Sequence, residues 1–140
     1  MILISHRGNT KTINHQKENS PEYINEALEK GFDVEIDVWF IDNNFFLGHD
    51  EPQYEISKRF LQNKKLWCHA KSIDTFCELL DDEKIHCFFH QEDDVTLTSE
   101  GYMWTYTGKD LTKKSIAVLP NKKPKVEIAG ICSDYIERYK

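Results

Sequence analysis

Apolar and polar residues alternate along several short stretches of the chain, and this period of two predicts β-strands. The clearest are a strand at 2–6 and a longer one at 33–41, which returns after a turn as a second strand at 45–49. Comparable stretches follow at 66–70, 85–90, 102–106, 115–119 and 128–133. The pattern therefore predicts a sheet built from many short strands.

Helical periodicity is present only in the first half of the chain. Ser20 followed by Pro21 is typical of a helix N-terminus, and Gly31 ends the apolar repeat that begins there. Two further helices are predicted at 53–63 and 72–81. Beyond residue 90 the connections are too short for full crossover helices, which need at least about ten to twelve residues. We therefore expect an α/β fold whose second half is poor in helices.

The net charge and the hydropathy of the chain exclude some classes of binding partner. The 140-residue chain has a formal net charge of −6, so it lacks the electrostatic footprint of a protein that binds a nucleic-acid backbone. No apolar run approaches the ~18 residues of a membrane span, and the stretch 1–4 is too short for a secretory signal core. We expect one cytoplasmic domain over residues 1–140 that acts on a small molecule.

Histidines and carboxylates are concentrated around the first strands. His6 ends the first strand, and the hairpin should return His49 toward Asp37. Glu35 and Asp37 are two residues apart in a strand, so both carboxylates project from one face and can reach one cation. Two proton-exchanging histidines beside two such carboxylates are what metal-assisted phosphodiester cleavage requires. The sequence therefore predicts a reaction class.

Short motifs containing these residues follow one another in a fixed order. They are His6-Arg7-Gly8, Glu18-Asn19-Ser20-Pro21, Glu35-Ile36-Asp37-Val38, a turn, and His49-Asp50. This order resembles the glycerophosphodiester phosphodiesterase family. The likeness weakens after residue 51 but continues at His69-Ala70-Lys71, Trp104-Thr105 and the stretch 130–135. The resemblance implies a TIM barrel that cleaves glycerol-linked phosphodiesters with a divalent cation.

The resemblance also implies a role for each matching residue. The general acid and base are His6 and His49, the phosphate ligands Arg7 and Lys71, the metal ligands Glu35 and Asp37, and Glu18 forms a hydrogen bond within the site. Trp104 has two interpretations, a ring that stacks on substrate and a core residue. His86 and His90 share a strand face, but no motif includes them, so we interpret both as structural.

His69 departs from the family pattern, which has a carboxylate at this position. Its imidazole either ligates the metal in place of the carboxylate or has lost the metal role. The family implies Mg²⁺ or Ca²⁺ as the cofactor, whereas an imidazole ligand favours Zn²⁺ or Mn²⁺. Chain length is a second departure, since a TIM barrel usually needs about 250 residues. We therefore expect a reduced or incomplete barrel.

The expected lack of helices in the second half leads to a prediction about assembly. Strands at 102–106 and 115–119 would expose apolar side chains or the faces opposite them, namely Tyr102, Trp104, Ile116 and Val118. A symmetric homodimer would cover that surface. The alternative is a monomer in which the segments 110–114 and 121–127 fold over these strands.

Three functional hypotheses follow from the sequence. The first is an active metal-dependent phosphodiesterase, the second a non-catalytic binder of a phosphorylated ligand, and the third a zinc-type hydrolase of another phosphoester. Retention of both His6 and His49 favours the first hypothesis over the second. His69 is the residue that suggests the third.

Overall fold

The computed structural model describes residues 1–140, which form one mixed sheet of ten strands with three α-helices. The strands are β1 (Ile2–His6), β2 (Asp33–Ile41), β3 (Asn44–Leu47), β4 (Tyr54–Ile56), β5 (Leu66–Ala70), β6 (Cys87–Phe88), β7 (Val95–Leu97), β8 (Met103–Tyr106), β9 (Ser115–Val118) and β10 (Gly130–Ser133). The helices are α1 (Pro21–Glu29), α2 (Lys58–Leu61), α3 (Ile73–Leu80) and a 3₁₀-helix at Ile136–Tyr139. The predicted α/β class is confirmed.

Seven strands run parallel, in the spatial order β6-β5-β2-β1-β10-β9-β8. Three short strands are antiparallel additions: β3 and β4 extend β2, and β7 pairs with β8. Because the seven strands share one direction, their C-terminal ends meet along one rim of the sheet. Side chains from distant parts of the chain are brought together on that rim.

The sheet is curled, and its concave face is filled by a cluster drawn from six strands. The buried members of this inner cluster are Ile4, Trp67, Phe88, Trp104, Ile116, Val118 and Cys132. Strands β6 and β8 lie at opposite ends of the parallel series, yet Phe88 and Trp104 are in contact with ring centroids 4.7 Å apart. The two ends of the sheet therefore approach each other, as in a barrel-like fold.

Helices α1 and α3 cover the convex face of the sheet. Helix α1 is capped by Ser20, whose hydroxyl accepts a hydrogen bond from the backbone N–H of Tyr23. Helix α3 is capped in the same way by Ser72. Both helices pack on a cluster of outward-facing strand residues that includes Val34, Ile36, Val38, Leu66 and Cys68. The predictions of these two helices are confirmed.

Three details of the predicted elements are wrong. The segment 53–63 is not one helix, because Tyr54–Ile56 pairs with β3 and only Lys58–Leu61 is helical after the cap at Ser57. The strand predicted at 85–90 pairs only at Cys87–Phe88. Strand β7 was not predicted at all, since it has three residues and leaves Val95 and Leu97 exposed. A period of two in so short a segment is hard to distinguish from a loop.

The chain has no α-helix beyond residue 90, as predicted, but the apolar surface expected there is buried. Trp104, Ile116 and Val118 face the inner cluster and are at most 3 % exposed, while Tyr102 is partly buried against the same cluster. On the convex side, Leu111 and Ile128 from the loops and the 3₁₀-helix pack against β9 and β10. The exposure on which the homodimer prediction depended is therefore absent, and loops supply the cover.

No helix has the length and apolar character to cross a bilayer.

Below the rim, His86 is a buried group whose ionisation opposes folding. Its ring contacts Trp67, its Nε2 lies 2.8 Å from the Thr98 hydroxyl, and it is 2 % exposed. Burial lowers the pKa of His86 to about 4. The carboxylate of Glu100 lies 3.7 Å from Nδ1, but that side chain is half exposed and water screens its charge.

The free energy of unfolding should therefore fall as the pH drops from 7 to 4.5. An unfolded histidine has a pKa of about 6.5, so between that value and about 4 the unfolded chain binds more protons than the folded protein. His86 should account for about 2 to 3 kcal/mol of the loss. Urea unfolding at both pH values, in the wild type and in a His86→Gln variant, measures this contribution. Identical pH dependence in the two proteins would show that His86 is not the cause.

Candidate active site

A cavity of about 400 Å³ opens at the C-terminal rim of the parallel strands. Its polar lining brings together six residues singled out in the sequence, namely His6, Arg7, Glu35, His49, His69 and Lys71. They come from β1, β2 and β5, from the residues that directly follow β1 and β5, and from the loop after β3. Trp104 forms part of the cavity floor and is also 2 % exposed within the inner cluster, so it is both a core residue and a lining residue.

Glu35, Asp37 and His69 form a compact group of potential metal ligands. One ligand atom from each lies within 4.8 Å of the others. Nδ1 of His69 is 3.2 Å from Oδ1 of Asp37 and 3.8 Å from Oε1 of Glu35. Oε2 of Glu35 and Oδ1 of Asp37 are buried and accept no hydrogen bond. Unsatisfied buried carboxylate oxygens are costly, and a cation would satisfy them. This donor set fits a divalent metal ion.

Asp37 is the most heavily compensated carboxylate of the protein. Its Oδ2 lies 3.0 Å from Nε of Arg7, and its Oδ1 lies 3.6 Å from Nζ of Lys71. The Asn19 amide donates to Oδ2, and the Asn19 carbonyl oxygen accepts from the Asp37 backbone N–H, both at 2.9 Å. The phosphate ligands predicted from the resemblance are thus held beside the predicted metal ligands.

The two strand carboxylates differ in acidity. Burial alone would raise the pKa of Asp37, but the imidazoles of His49 and His69 and the charge of Arg7 hold that pKa well below its usual range. Burial raises the pKa of Glu35, and the negative charge of Asp37 raises it further. The metal-free site therefore stabilises one carboxylate as an anion much more strongly than the other. A bound cation would favour the ionised form of both.

His6 is oriented by a carboxylate that sequence analysis missed. Nδ1 of His6 lies 2.8 Å from Oδ1 of Asp134, and Nε2 lies 3.8 Å from Oε2 of Glu35. The amide of Asn9 donates both to Asp134 at 2.8 Å and to Glu18 at 2.9 Å. Burial alone would lower the pKa of His6, but the hydrogen bond with Asp134 and the charge of Glu35 outweigh it and raise that pKa.

His49 lies beside Arg7 and is more accessible than His6. Its Nδ1 is 3.4 Å from Oδ2 of Asp37, and its Nε2 is 3.4 Å from an Nη atom of Arg7. The hairpin places it there, because the N–H of Gly48 donates to the Asp37 carbonyl and the Trp39 indole donates to the Gly48 carbonyl. The prediction that the hairpin returns His49 toward Asp37 is confirmed.

The turn after β1 accepts backbone strain to direct Arg7 into the site. Arg7 has a φ of 56°, a left-handed conformation that costs a non-glycine residue roughly 1 kcal/mol or more. Gly8 has a φ of 95°, and a Cβ at this position would lie 2.6 Å from the Tyr23 ring.

Glu18 lies 3.4 Å from an Nη atom of Arg7, so its hydrogen-bonding position within the site matches the prediction.

Three residues at the site were not assigned to it from the sequence: His90 and Tyr106 line the cavity, and Asp134 contacts His6. Asp134, His90 and Tyr106 each follow, by two residues, an apolar residue of the inner cluster: Cys132, Phe88 and Trp104. Residues two apart in a strand point to the same face. The sequence contains a signal that would have identified them. At the end of several strands, an apolar residue is followed two positions later by a polar residue.

No family model matches the sequence, and neither a curated protein nor a solved structure is detectably similar to the chain. The case for a function therefore rests on the chemistry of the residues at the rim.

Replacement of Asn19 by Ala should lower the free energy of unfolding by about 2 kcal/mol or more. It leaves the backbone N–H of Asp37 without a partner and removes one of the groups that contact Oδ2, and an unsatisfied buried group costs about 1–3 kcal/mol. Asn43 is the matched control, since it has the same φ of 62° but is exposed. Denaturant unfolding of both variants makes the comparison. Equal losses in the free energy of unfolding would mean that backbone strain at the positive φ, and not the contact with Asp37, determines the effect.

Proposed function

We propose that this protein is a metal-dependent phosphodiesterase that cleaves a glycerophosphodiester-type substrate, with His6 and His49 as general acid and base. The observation that carries the proposal is the convergence in one cavity of both histidines, the group Glu35, Asp37 and His69, and the cations of Arg7 and Lys71. Each of these groups matches a requirement of phosphoryl transfer.

We further propose that the curled sheet is a reduced TIM barrel of the glycerophosphodiester phosphodiesterase family. Its seven parallel strands place the site at their C-terminal ends, where TIM-barrel enzymes carry their active sites. The family motif order supports the assignment, because residues that the resemblance links are in contact here. His6, the pair Glu35 and Asp37, and His49 come from three separate segments and line or support one cavity.

The chain's own residues supply anion binding and proton transfer. Arg7 and Lys71 face the cavity and neutralise the non-bridging oxygens of a bound phosphodiester. A divalent cation held by Glu35, Asp37 and His69 would add Lewis-acid stabilisation of the same oxygens. Negative charge that accumulates on these oxygens in the transition state would thus be stabilised by both side-chain cations and by the metal ion. The buried site strengthens these interactions relative to water.

The positions of His6 and His49 at the cavity support their proposed roles in proton transfer. The hydrogen bond from Nδ1 of His6 to Asp134 leaves Nε2 facing the cavity. In the first step a substrate hydroxyl adjacent to the phosphate attacks phosphorus and loses its proton to one histidine. The bond to the leaving alcohol breaks, and the other histidine protonates that oxygen. A cyclic phosphate results, which water then opens.

Replacement of His6 or His49 by Ala should each reduce turnover of a glycerophosphodiester by about 10²- to 10⁴-fold, the usual contribution of a general acid or base. Release of the alcohol from a panel of glycerophosphodiesters, assayed with Mg²⁺, Ca²⁺, Mn²⁺ and Zn²⁺, measures this. The control is His15→Ala, because His15 is 81 % exposed at the edge of the site. Unchanged turnover in both His6→Ala and His49→Ala would disprove the assignment. Binding of the substrates without turnover in the wild type would favour the non-catalytic binder.

The His69→Glu variant should shift cation preference toward Mg²⁺ and Ca²⁺, since it replaces a nitrogen ligand by a carboxylate. In the wild type, Zn²⁺ or Mn²⁺ should compete well because Nδ1 of His69 points at both carboxylates. Competition between cations, followed by calorimetry on the metal-free protein, gives the ratio of affinities. His69→Gln serves as a control that removes the imidazole without adding charge. The same ratio in wild type and His69→Glu would exclude ligation by His69.

A further inference from the structure

Three aromatic rings stack beside the candidate metal ligands. The rings of His69 and His90 are 4.3 Å apart and within 6° of parallel. The rings of His69 and Phe88 are 5.2 Å apart and within 3° of parallel. His69 is the neighbour of Phe88 across the β5–β6 pair, and His90 follows Phe88 by two residues with its ring within 6° of parallel to the Phe88 ring. The ligand ring therefore packs nearly parallel to two rings, one in the adjacent strand β6 and one two residues beyond it.

The stack fixes the direction of the ligand atom. The lone pair of an imidazole nitrogen lies in the plane of the ring, so the ring plane determines where Nδ1 points. In metal sites, that plane is usually set by a hydrogen bond from the second ring nitrogen to a carboxylate, a carbonyl or water. The polar protein contacts of His69 are made by Nδ1, toward Glu35 and Asp37. Stacking takes the place of the usual hydrogen bond.

His90 is itself held in position. The hydroxyl of Tyr106 lies 2.7 Å from Nε2 of His90, and Nδ1 of His90 lies 3.4 Å from the Gln91 carbonyl oxygen. Both nitrogens of His90 are thus engaged by other groups, and the ring presents its face to His69. His90 lies outside the group Glu35, Asp37 and His69 whose ligand atoms converge. Its geometry suits a support of the ligand, not a further ligand.

We propose that His90 is a positioning residue of the metal centre, which through its parallel stack and its contact with Tyr106 holds the His69 ring in the plane that directs Nδ1 at the cation. The inference rests on the proposed function to the extent that a divalent cation binds at Glu35, Asp37 and His69. It also revises the structural interpretation of His90 from the sequence, because the residue lines the cavity beside the ligand.

Affinity of the metal-free protein for Co²⁺ tests the proposal, with calorimetry for the dissociation constant and visible absorption for the ligand environment. His90→Leu and His90→Phe are the informative pair, because both fill the space but only Phe keeps a flat ring. His90→Leu should weaken binding by about 10- to 100-fold, as loss of a partner that orients a ligand typically does. His90→Phe should stay within about threefold of the wild type and keep its Co²⁺ spectrum.

His86→Leu is the matched control. His86 lies two residues before Phe88, as His90 lies two residues after it, and its ring contacts Trp67 at a tilt of 51° and lies outside the group of ligands. The His86→Leu variant should lower the stability of the protein and leave its Co²⁺ affinity unchanged. Thermal unfolding of each variant shows which remain folded at the assay temperature.

The outcomes separate the inference from the proposed function. If the wild type binds Co²⁺ and His90→Leu binds it equally well, the positioning role is disproved and the metal site stands. If His90→Phe loses as much affinity as His90→Leu, the nitrogens of His90 matter and the stacking account is wrong. If the wild type binds no Co²⁺, the metal centre fails and the inference fails with it. If the variants behave as expected but no phosphodiester is cleaved, the proposed function alone is overturned.

Discussion

The site is organised by the need to bury two carboxylates on one face of one strand. Glu35 and Asp37 are 2 % and 0 % exposed, and two such anions close together are unstable without compensation. Arg7, Lys71 and the amide of Asn19 converge on Asp37 and stabilise its charge. Glu35 has fewer such partners, and the pKa of its carboxyl is raised accordingly. A divalent cation between the two would complete the compensation. The hypothesis of a metal site therefore rests on the incompletely compensated negative charge of Glu35 and Asp37 as well as on the order of the motifs.

In this short chain, the fold places the polar and charged side chains of the site at one rim of the sheet. Along several parallel strands an apolar residue of the inner cluster is followed two positions later by a polar residue of the cavity, as with Ile4 and His6 or Trp67 and His69. The same strand thus supplies both the packed floor and the reactive groups above it. Helices are needed only to cover the convex face, and in the second half loops and the 3₁₀-helix do this. The chain can lose covering helices there without losing the rim.

Sequence reasoning succeeded where local rules act and failed where distant segments meet. The caps at Ser20 and Ser72 and the shared face of Glu35 and Asp37 are local, so α1, α3 and the convergence of the carboxylates were predictable. The short β4 and β7 strands exist through their pairing with longer neighbours, and three residues carry too little periodicity to show it. Asp134 lies 128 positions from His6, so their hydrogen bond depends on β1 and β10 being adjacent. The expected exposure of Trp104 failed because curling turned its strand face inward.

The most direct test of the account is anomalous diffraction from crystals of the protein grown with Mn²⁺. The account predicts one strong anomalous peak at coordinating distance from a carboxylate oxygen of Glu35, a carboxylate oxygen of Asp37 and Nδ1 of His69. It also predicts that the peak disappears from crystals of a Glu35→Gln, Asp37→Asn double variant. A clear map without a peak at this position, or a peak unaffected by the double variant, would contradict the claim that the buried carboxylates form a metal centre.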